Sequence, residues 1–247
     1  MENDKLFYAR LSDLASAAKS GKTRFSAFLS ENEQAEADLF LKREGACFLF
    51  YGGNEKVKRK IAGVSPRELE FSSFPVSVIR ATGRDIETLT HRDLLGALMA
   101  LGLTRESVGD IVVDKSSLCA YIFVTENAKR LILSDLKSAG RVYLTVSEVD
   151  GEKIVLPDDE FDDIALSVSS FRADAVLAAL LNLSREKAAA LIDARSVVLN
   201  GSLLAKHEKE ITEGDTLSVK GFGKFKVDFA APKGKKGRIG YLIKKYK

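Results

Sequence analysis

The sequence predicts an α+β protein of several units, on three observations. Strand and helix patterns alternate through residues 73–156 in the order βαββαβ, two short helices and a series of hairpin signals occupy 167–230, and an acidic, turn-rich stretch separates the two. A chain of 247 residues exceeds one average domain of ~100–200 residues. With 45% hydrophobic residues it can build packed cores, and only 4 Pro and 18 Gly exclude collagenous and low-complexity classes.

Residues 1–72 read as a mixed, largely helical region. Leu6, Leu11 and Leu14 give an amphipathic opening helix, and Ala35, Leu39 and Phe40 fall near helical spacing in a second helix over 31–44, ended by Gly45. The apolar run 46–51, bounded by Gly45 and Gly52-Gly53, predicts a buried strand. Lys56, Lys58, Arg59 and Lys60 predict a basic helix that stops at Gly63. In 73–156 the expected order is strand 76–81, helix 91–103 capped by Thr90, strands 111–114 and 118–125, helix 127–138 and strand 142–149. This is the ferredoxin-like split βαβ order, which fixes no function by itself.

Residues 157–166 are expected to be an acidic linker, since five acids fall within 158–163. A third domain then spans 167–230. Ser169 or Ser170 would cap a helix over 172–181, and Ser184 a second over 185–194, so the two helices meet at a three-residue corner. Val197-Val198-Leu199 runs into Asn200-Gly201, a strong hairpin signal, and Gly214-Asp215 turns into a strand over 216–220. Phe225, Val227 and Phe229 alternate with Lys224, Lys226 and Asp228, which predicts a strand with one apolar and one charged face. Residues 231–247 are expected to be a basic tail carrying Lys233, Lys235, Lys236 and Arg238.

The net charge of +3 hides an asymmetry. Residues 220–247 hold nine Lys and Arg238 against Asp228 alone, a balance of +9, so the preceding residues carry −6. On charge alone RNA, DNA and an anionic membrane surface all remain candidate partners, as does a solvated tail. The richest apolar stretch, 94–103, is interrupted by Gly96 and Gly102, so no membrane span is expected. The acidic, h-region-free start argues for the cytoplasm. Cys47 and Cys119 sit in apolar strand-like surroundings and read as buried thiols.

The corner between the two short helices is the expected site. Arg185 and Lys187 lie in a first helical turn, where the macrodipole already presents positive charge, and a bound anion would relieve the conflict. A phosphate there could accept hydrogen bonds from backbone N–H, Ser184 and both side chains, with Arg172 adding to the same face.

The residues Phe171-Arg172-Ala173-Asp174, 183–188, Leu191-Ile192, 197–201 and 214–219 resemble, in order and spacing, the RNA-binding domain named after small-subunit ribosomal protein S-four (the alpha-L motif). Ala173 stands where Leu is usual, and Arg195 where a Gly precedes the hairpin. The resemblance implies RNA contacts at Arg172, Ser184, Arg185, Lys187, Asn200 and Lys206, with Asn200 shaping the turn. Residues 90–98, 101–106 and Gly109-Asp110-Ile111, with Tyr51-Gly52-Gly53 upstream, resemble the YlmH family of bacterial proteins. That resemblance implies a helical N-terminal region, a ferredoxin-like middle domain, a C-terminal S-four domain and RNA binding on the ribosome. It further implies ribosomal RNA and peptidyl-tRNA on the large subunit as partners, in ribosome-associated quality control.

Catalytic chemistry has little material. The stretch His91-Arg92-Asp93-Leu94 lacks the Asn and Gly-rich loop of a kinase, and with only His91 and His207 no Ser-His, Cys-His or metal set is expected. Asp85 and Glu87 have no partner nucleophile. Lys220-Gly221-Phe222-Gly223 reads as a hairpin turn, and Tyr121 and Phe123 as core rather than a base-stacking pair. A non-catalytic RNA-binding protein without cofactor or small-molecule substrate, monomeric off the ribosome, is therefore expected. The alternative is an RNA-modifying enzyme or its accessory, a pseudouridine synthase or methyltransferase that docks through the S-four domain.

Overall fold

The computed structural model describes residues 2–158, 160–230 and 239–246. The chain divides into two units, Met1–Pro157 and Asp158–Lys247, so the regions expected at 1–72 and 73–156 share one unit.

In the first unit α1 (Glu2–Lys19), β1 (Arg24–Leu29), α2 (Glu31–Arg43), β2 (Cys47–Tyr51) and β3 (Lys60–Ser65) build an antiparallel sheet in the order β1-β3-β2. Ser30 and Glu33 close a capping box that starts α2. The basic helix expected from Lys56 is not formed. The carboxylate of Asp110 accepts hydrogen bonds from the backbone N–H groups of Lys58 and Arg59, and Lys60 opens β3. A side chain from a distant strand has taken over the amides that a helix would have used.

There follow β4 (Val76–Thr82), α3 (His91–Ala100), β5 (Val108–Asp114), β6 (Cys119–Thr125), α4 (Glu126–Asp135), the short pair β7 (Ser138–Ala139) and β8 (Val142–Tyr143), and β9 (Thr145–Val149). Four of these form an antiparallel sheet in the order β5-β6-β4-β9. Ile79, Ile122 and Val124 on one face pack with Leu94, Leu98 and Ile132 of the two helices. On the opposite face Val78 and Phe123 pack with Phe28, Val57, Ile61 and Phe74 from the preceding region. Phe123 is fully buried there.

The Tyr51-Gly52-Gly53 stretch belongs to this junction. Gly53 has φ +96°, and its carbonyl approaches Gly151 so closely that a Cβ on Gly151 would collide with it. Tyr51 stacks on Phe71, and its hydroxyl donates to Glu152 at 3.4 Å. Burial, with Glu152 beside it, pushes the Tyr51 phenol up to about 12.

The second unit comprises β10 (Phe161–Val168), α5 (Ala173–Leu181), α6 (Arg185–Asp193), β11 (Val197–Leu199), β12 (Ser202–Leu203), β13 (Thr216–Val219), β14 (Gly223–Ala230) and β15 (Ile239–Tyr246). Its six strands run β10-β15-β14-β13-β11-β12, each pairing antiparallel. Two expectations change here. The linker expected at 157–166 contributes most of an edge strand, and the tail expected at 231–247 contributes an interior strand between β10 and β14. Ile239, Tyr241 and Ile243 alternate into the core, where each is buried, so the apolar period outweighs the flanking lysines.

The register also sets the acidic run against the basic one: Asp162 lies opposite Lys245 and Asp163 opposite Lys244. Part of the charge asymmetry is thus met within the sheet, at about 0.2–1 kcal/mol for each opposite-charge cross-strand pair. Lys233, Lys235, Lys236 and Arg238 lie outside the described residues. No helix among the described residues is long and apolar enough to cross a membrane.

Candidate nucleic-acid interface

The α5–α6 corner forms by local rules. Asn182 ends α5 in a left-handed conformation, φ 54°, and the Ser184 hydroxyl caps α6 by accepting from Lys187 N at 3.2 Å. The start of α5 departs from expectation. Neither Ser169 nor Ser170 caps it; Arg172 occupies the cap position. The amides of Ala173 and Asp174 donate instead to the carbonyls of Lys209 and His207, at 2.8 and 3.1 Å. The 206–209 loop therefore docks on the N-terminus of α5, and His207 is tied to Asp193 of α6 at 2.7 Å.

Asp174 organises the corner. Its carboxylate accepts from Arg172 Nε and Nη2 at 3.1 and 3.2 Å, and from Arg185 Nη2 at 2.9 and 3.1 Å. Burial of the carboxyl works against ionisation, yet the bonds from Arg172 and Arg185 outweigh it and hold the group below its ordinary value. The expected conflict of Arg185 with the α6 dipole is thus partly met from within. What remains is a pair of guanidinium forks gathered on one carboxylate, with side chains 43% and 54% exposed. Arg185 meets Asp174 through Nη2, leaving its Nε and Nη1 without a partner among the described residues. Planar donors fixed in this way suit a phosphate.

The other expected residues divide. Lys187 and Lys206 are exposed, and Lys206 lines a shallow depression with Lys209 and Asn200. Asn200 is occupied within the fold: at φ 48° it donates to Asp215 at 2.7 Å and accepts from Thr216 N at 2.8 Å. Arg195 stands at φ 53°, a left-handed position where the S-four pattern has Gly.

Sequence reasoning passed over Asp174, His207 and Lys209. The signal for Asp174 was its place two residues after Arg172, but its second partner lies eleven residues on.

In the first unit the stretch from Thr90 to Ile111 is used structurally. Asp93 closes a capping box with Thr90, accepting from its N and Oγ1 at 2.9 and 2.6 Å. Arg105 donates to the carbonyls of Val108 and Gly109 at 2.6 and 3.0 Å, and Asp110 holds the 58–59 amides. Among the described residues no group of His, Cys, Asp and Glu is placed to hold a metal ion.

Residues 70–153 match the family described as "Putative RNA-binding domain in YlmH". They form a YlmH-type domain. The chain is also 28% identical over 206 residues to the ribosome-associated protein quality control protein P2 of Bacillus subtilis strain 168, covering 82% of this chain and 79% of that protein. A solved structure of the cell division protein YlmH from Streptococcus pneumoniae is similar with a TM-score of 0.51 and 24% identity, over 60% of this chain and 91% of that one. At that identity the likeness concerns the fold. Helices and antiparallel sheets in a YlmH-like arrangement are what the two proteins share.

Asp174→Asn should lower the melting temperature of the second unit. The half-exposed arginines discount each lost bond, so the cost is about 1–2 kcal/mol, or roughly 5–15 °C for a unit of this size. Because the folded carboxyl titrates below its unfolded value of ~3.9, its stabilisation is complete above that pH and lost as the pH falls through the folded value. The melting difference between wild type and variant, measured from pH 7 to pH 2.5, should therefore narrow as the pH falls.

Proposed function

We propose that the protein is a non-catalytic RNA-binding factor of the ribosome, gripping ribosomal RNA and tRNA on the large subunit in ribosome-associated quality control. The observation that carries this reading is the pair of arginine forks on Asp174 at the capped start of α6. The YlmH-type domain and the relative named for ribosome-associated quality control support it. We read the second unit as an S-four domain, with Arg172, Ser184, Arg185, Lys187 and Lys206 facing RNA and Asn200 shaping the turn. Lys233, Lys235, Lys236 and Arg238 add phosphate contacts by charge. The βαββαβ order with its β5-β6-β4-β9 sheet supports the ferredoxin-like reading of the middle domain.

RNA-binding modules of that fold often stack bases on the open sheet face. Here Phe28, Val57, Ile61 and Phe74 cover much of that face, which moves the specific contact to the α5–α6 corner. The protein acts in the cytoplasm, as a monomer off the ribosome, without cofactor.

Crosslinking in cells followed by sequencing of the bound RNA tests the proposal. Large-subunit ribosomal RNA together with tRNA should be enriched. Enrichment of messenger RNA alone, or loss of a ribosomal RNA modification when the gene is deleted, would overturn it.

A further inference from the structure

The open face of the C-terminal sheet is a feature the helix corner does not use. Both helices pack on the other face, against the buried side chains of β11, β13, β14 and β15. Strict alternation along β14 would carry Phe229 into that core behind Phe225 and Val227. It does not go there, because the register shifts between Val227 and Phe229. Val227 pairs with the inward Ile243, whereas Phe229 pairs with Leu242, the next residue on the opposite side. Phe229 is 51% exposed as a result. Bulges of this kind re-aim side chains and recur at functional surfaces.

The re-aimed ring joins a face of mixed aromatic and cationic character. Lys224 and Lys226 precede it on the same side of β14, and the exposed Lys226 lies directly opposite Lys244. Two lysines facing each other across a ladder are unfavourable unless an anion is near. Asp228, the bulge residue, answers Lys244 at 3.0 Å, and Asp163 lies opposite Lys244 on β10, so the carboxylates of this face gather on Lys244. At the far end Tyr246 packs edge-on against Phe161, ring centroids 4.8 Å apart, with Lys224 Nζ 5.1 Å from the Tyr246 centroid. Phe229 and Tyr246 thus stand at the two ends of a stripe about 14 Å long, with Lys226 between them and Lys224 beside Tyr246.

We infer that this face is a second RNA site that takes a single-stranded segment, with bases stacked on Phe229 and Tyr246 and phosphates on Lys224 and Lys226. The inference rests on the reading of the protein as an RNA-binding factor. Rings and lysines at two-residue spacing fit a ligand that alternates planar bases with anionic phosphates. A second copy of the chain fits poorly, since face-to-face pairing would set lysine against lysine. An acidic peptide would engage the lysines and leave the rings unused.

The test is fluorescence anisotropy of full-length protein with a labelled 12-nucleotide oligouridylate. Phe229→Ala should weaken binding about fivefold or more, the lower end of what one base–aromatic stack contributes. Lys226→Gln should weaken it and lower the slope against log salt by about 0.7. Both positions are exposed, and circular dichroism melts should confirm intact folding. Arg185→Ala, which removes one guanidinium at the helix corner, should weaken oligouridylate binding by less than Phe229→Ala does. Ultraviolet crosslinking should place uridine on a peptide containing Phe229 or Tyr246.

Unchanged binding with Phe229→Ala, an equal loss with Arg185→Ala, or equal competition by polyglutamate would overturn the inference. So would a Phe229-dependent dimer in place of an RNA complex. Wild-type protein that binds ribosomal RNA but no oligouridylate would sink this inference alone, whereas protein that binds neither would sink the RNA-binding reading with it.

Discussion

Ending the chain at Ala230 should abolish cooperative folding of the C-terminal unit. The truncation removes β15, which lies between β10 and β14 and pairs with both. It takes with it Ile239, Tyr241 and Ile243, each at most 3% exposed. Burying side chains of this size contributes about 1.5–3 kcal/mol apiece, so the three together account for roughly 5–9 kcal/mol, against a typical domain stability of about 5–15 kcal/mol. The Tyr241 hydroxyl also donates to the Ile211 carbonyl at 2.7 Å, and its loss leaves a buried acceptor unpaired. Without β15, moreover, β10 has no neighbour in the sheet.

The measurement is the thermal melt of the truncated chain, followed by near-ultraviolet circular dichroism and by limited proteolysis of 158–230. A cooperative transition with wild-type protection of 173–193 would show that the strand is dispensable. Electrostatics needs a different variant. Replacing Lys233, Lys235, Lys236 and Arg238 by Gln keeps β15 in place and should leave the melt nearly unchanged. It should flatten the salt dependence of RNA binding by about 0.7–0.9 for each phosphate no longer neutralised.

That contrast shows which features were legible in the sequence. Apolar runs with plain turns, such as those giving β4, β6 and α3, read directly, because one local period decides them. Phe161–Val168 and Ile239–Tyr246 did not, because charge density pointed to linker and tail while the apolar residues kept strand period. The two strands complement each other in charge across the ladder, and no reading of either segment alone shows its partner. The missing helix at Lys56 fails for a similar reason: Asp110 is some fifty residues away. At the candidate site the Ser184 cap and the cations of α6 were legible from spacing, whereas Asp174 was not. A Phe229 turned out of its alternation by a bulge belongs to the same class, since a register shift exists only between two strands.

Arg185→Ala should cut affinity for the cognate ribosomal particle about tenfold or more while leaving the fold intact. A charge-assisted hydrogen bond is worth roughly 1.5–3 kcal/mol, and ~1.4 kcal/mol is a factor of ten. Folding has little at stake: Arg185 is 54% exposed, and Asp174 keeps both of its bonds from Arg172 when Arg185 is gone. An ion pair this exposed is worth about 0–1 kcal/mol, so the melt should move by no more than about 8 °C. Lys187→Ala should act in the same direction with a smaller loss, since a flexible point charge has less geometry to lose than a planar fork. Arg185→Lys should recover only part of the affinity, because it restores the charge without the second donor direction. Ribosome cosedimentation run beside thermal melting reads all three variants. If Arg185→Ala cosediments like wild type, or if its loss follows a melting temperature fallen below the assay temperature, the forks gathered on Asp174 are a structural clasp and the RNA contact lies elsewhere.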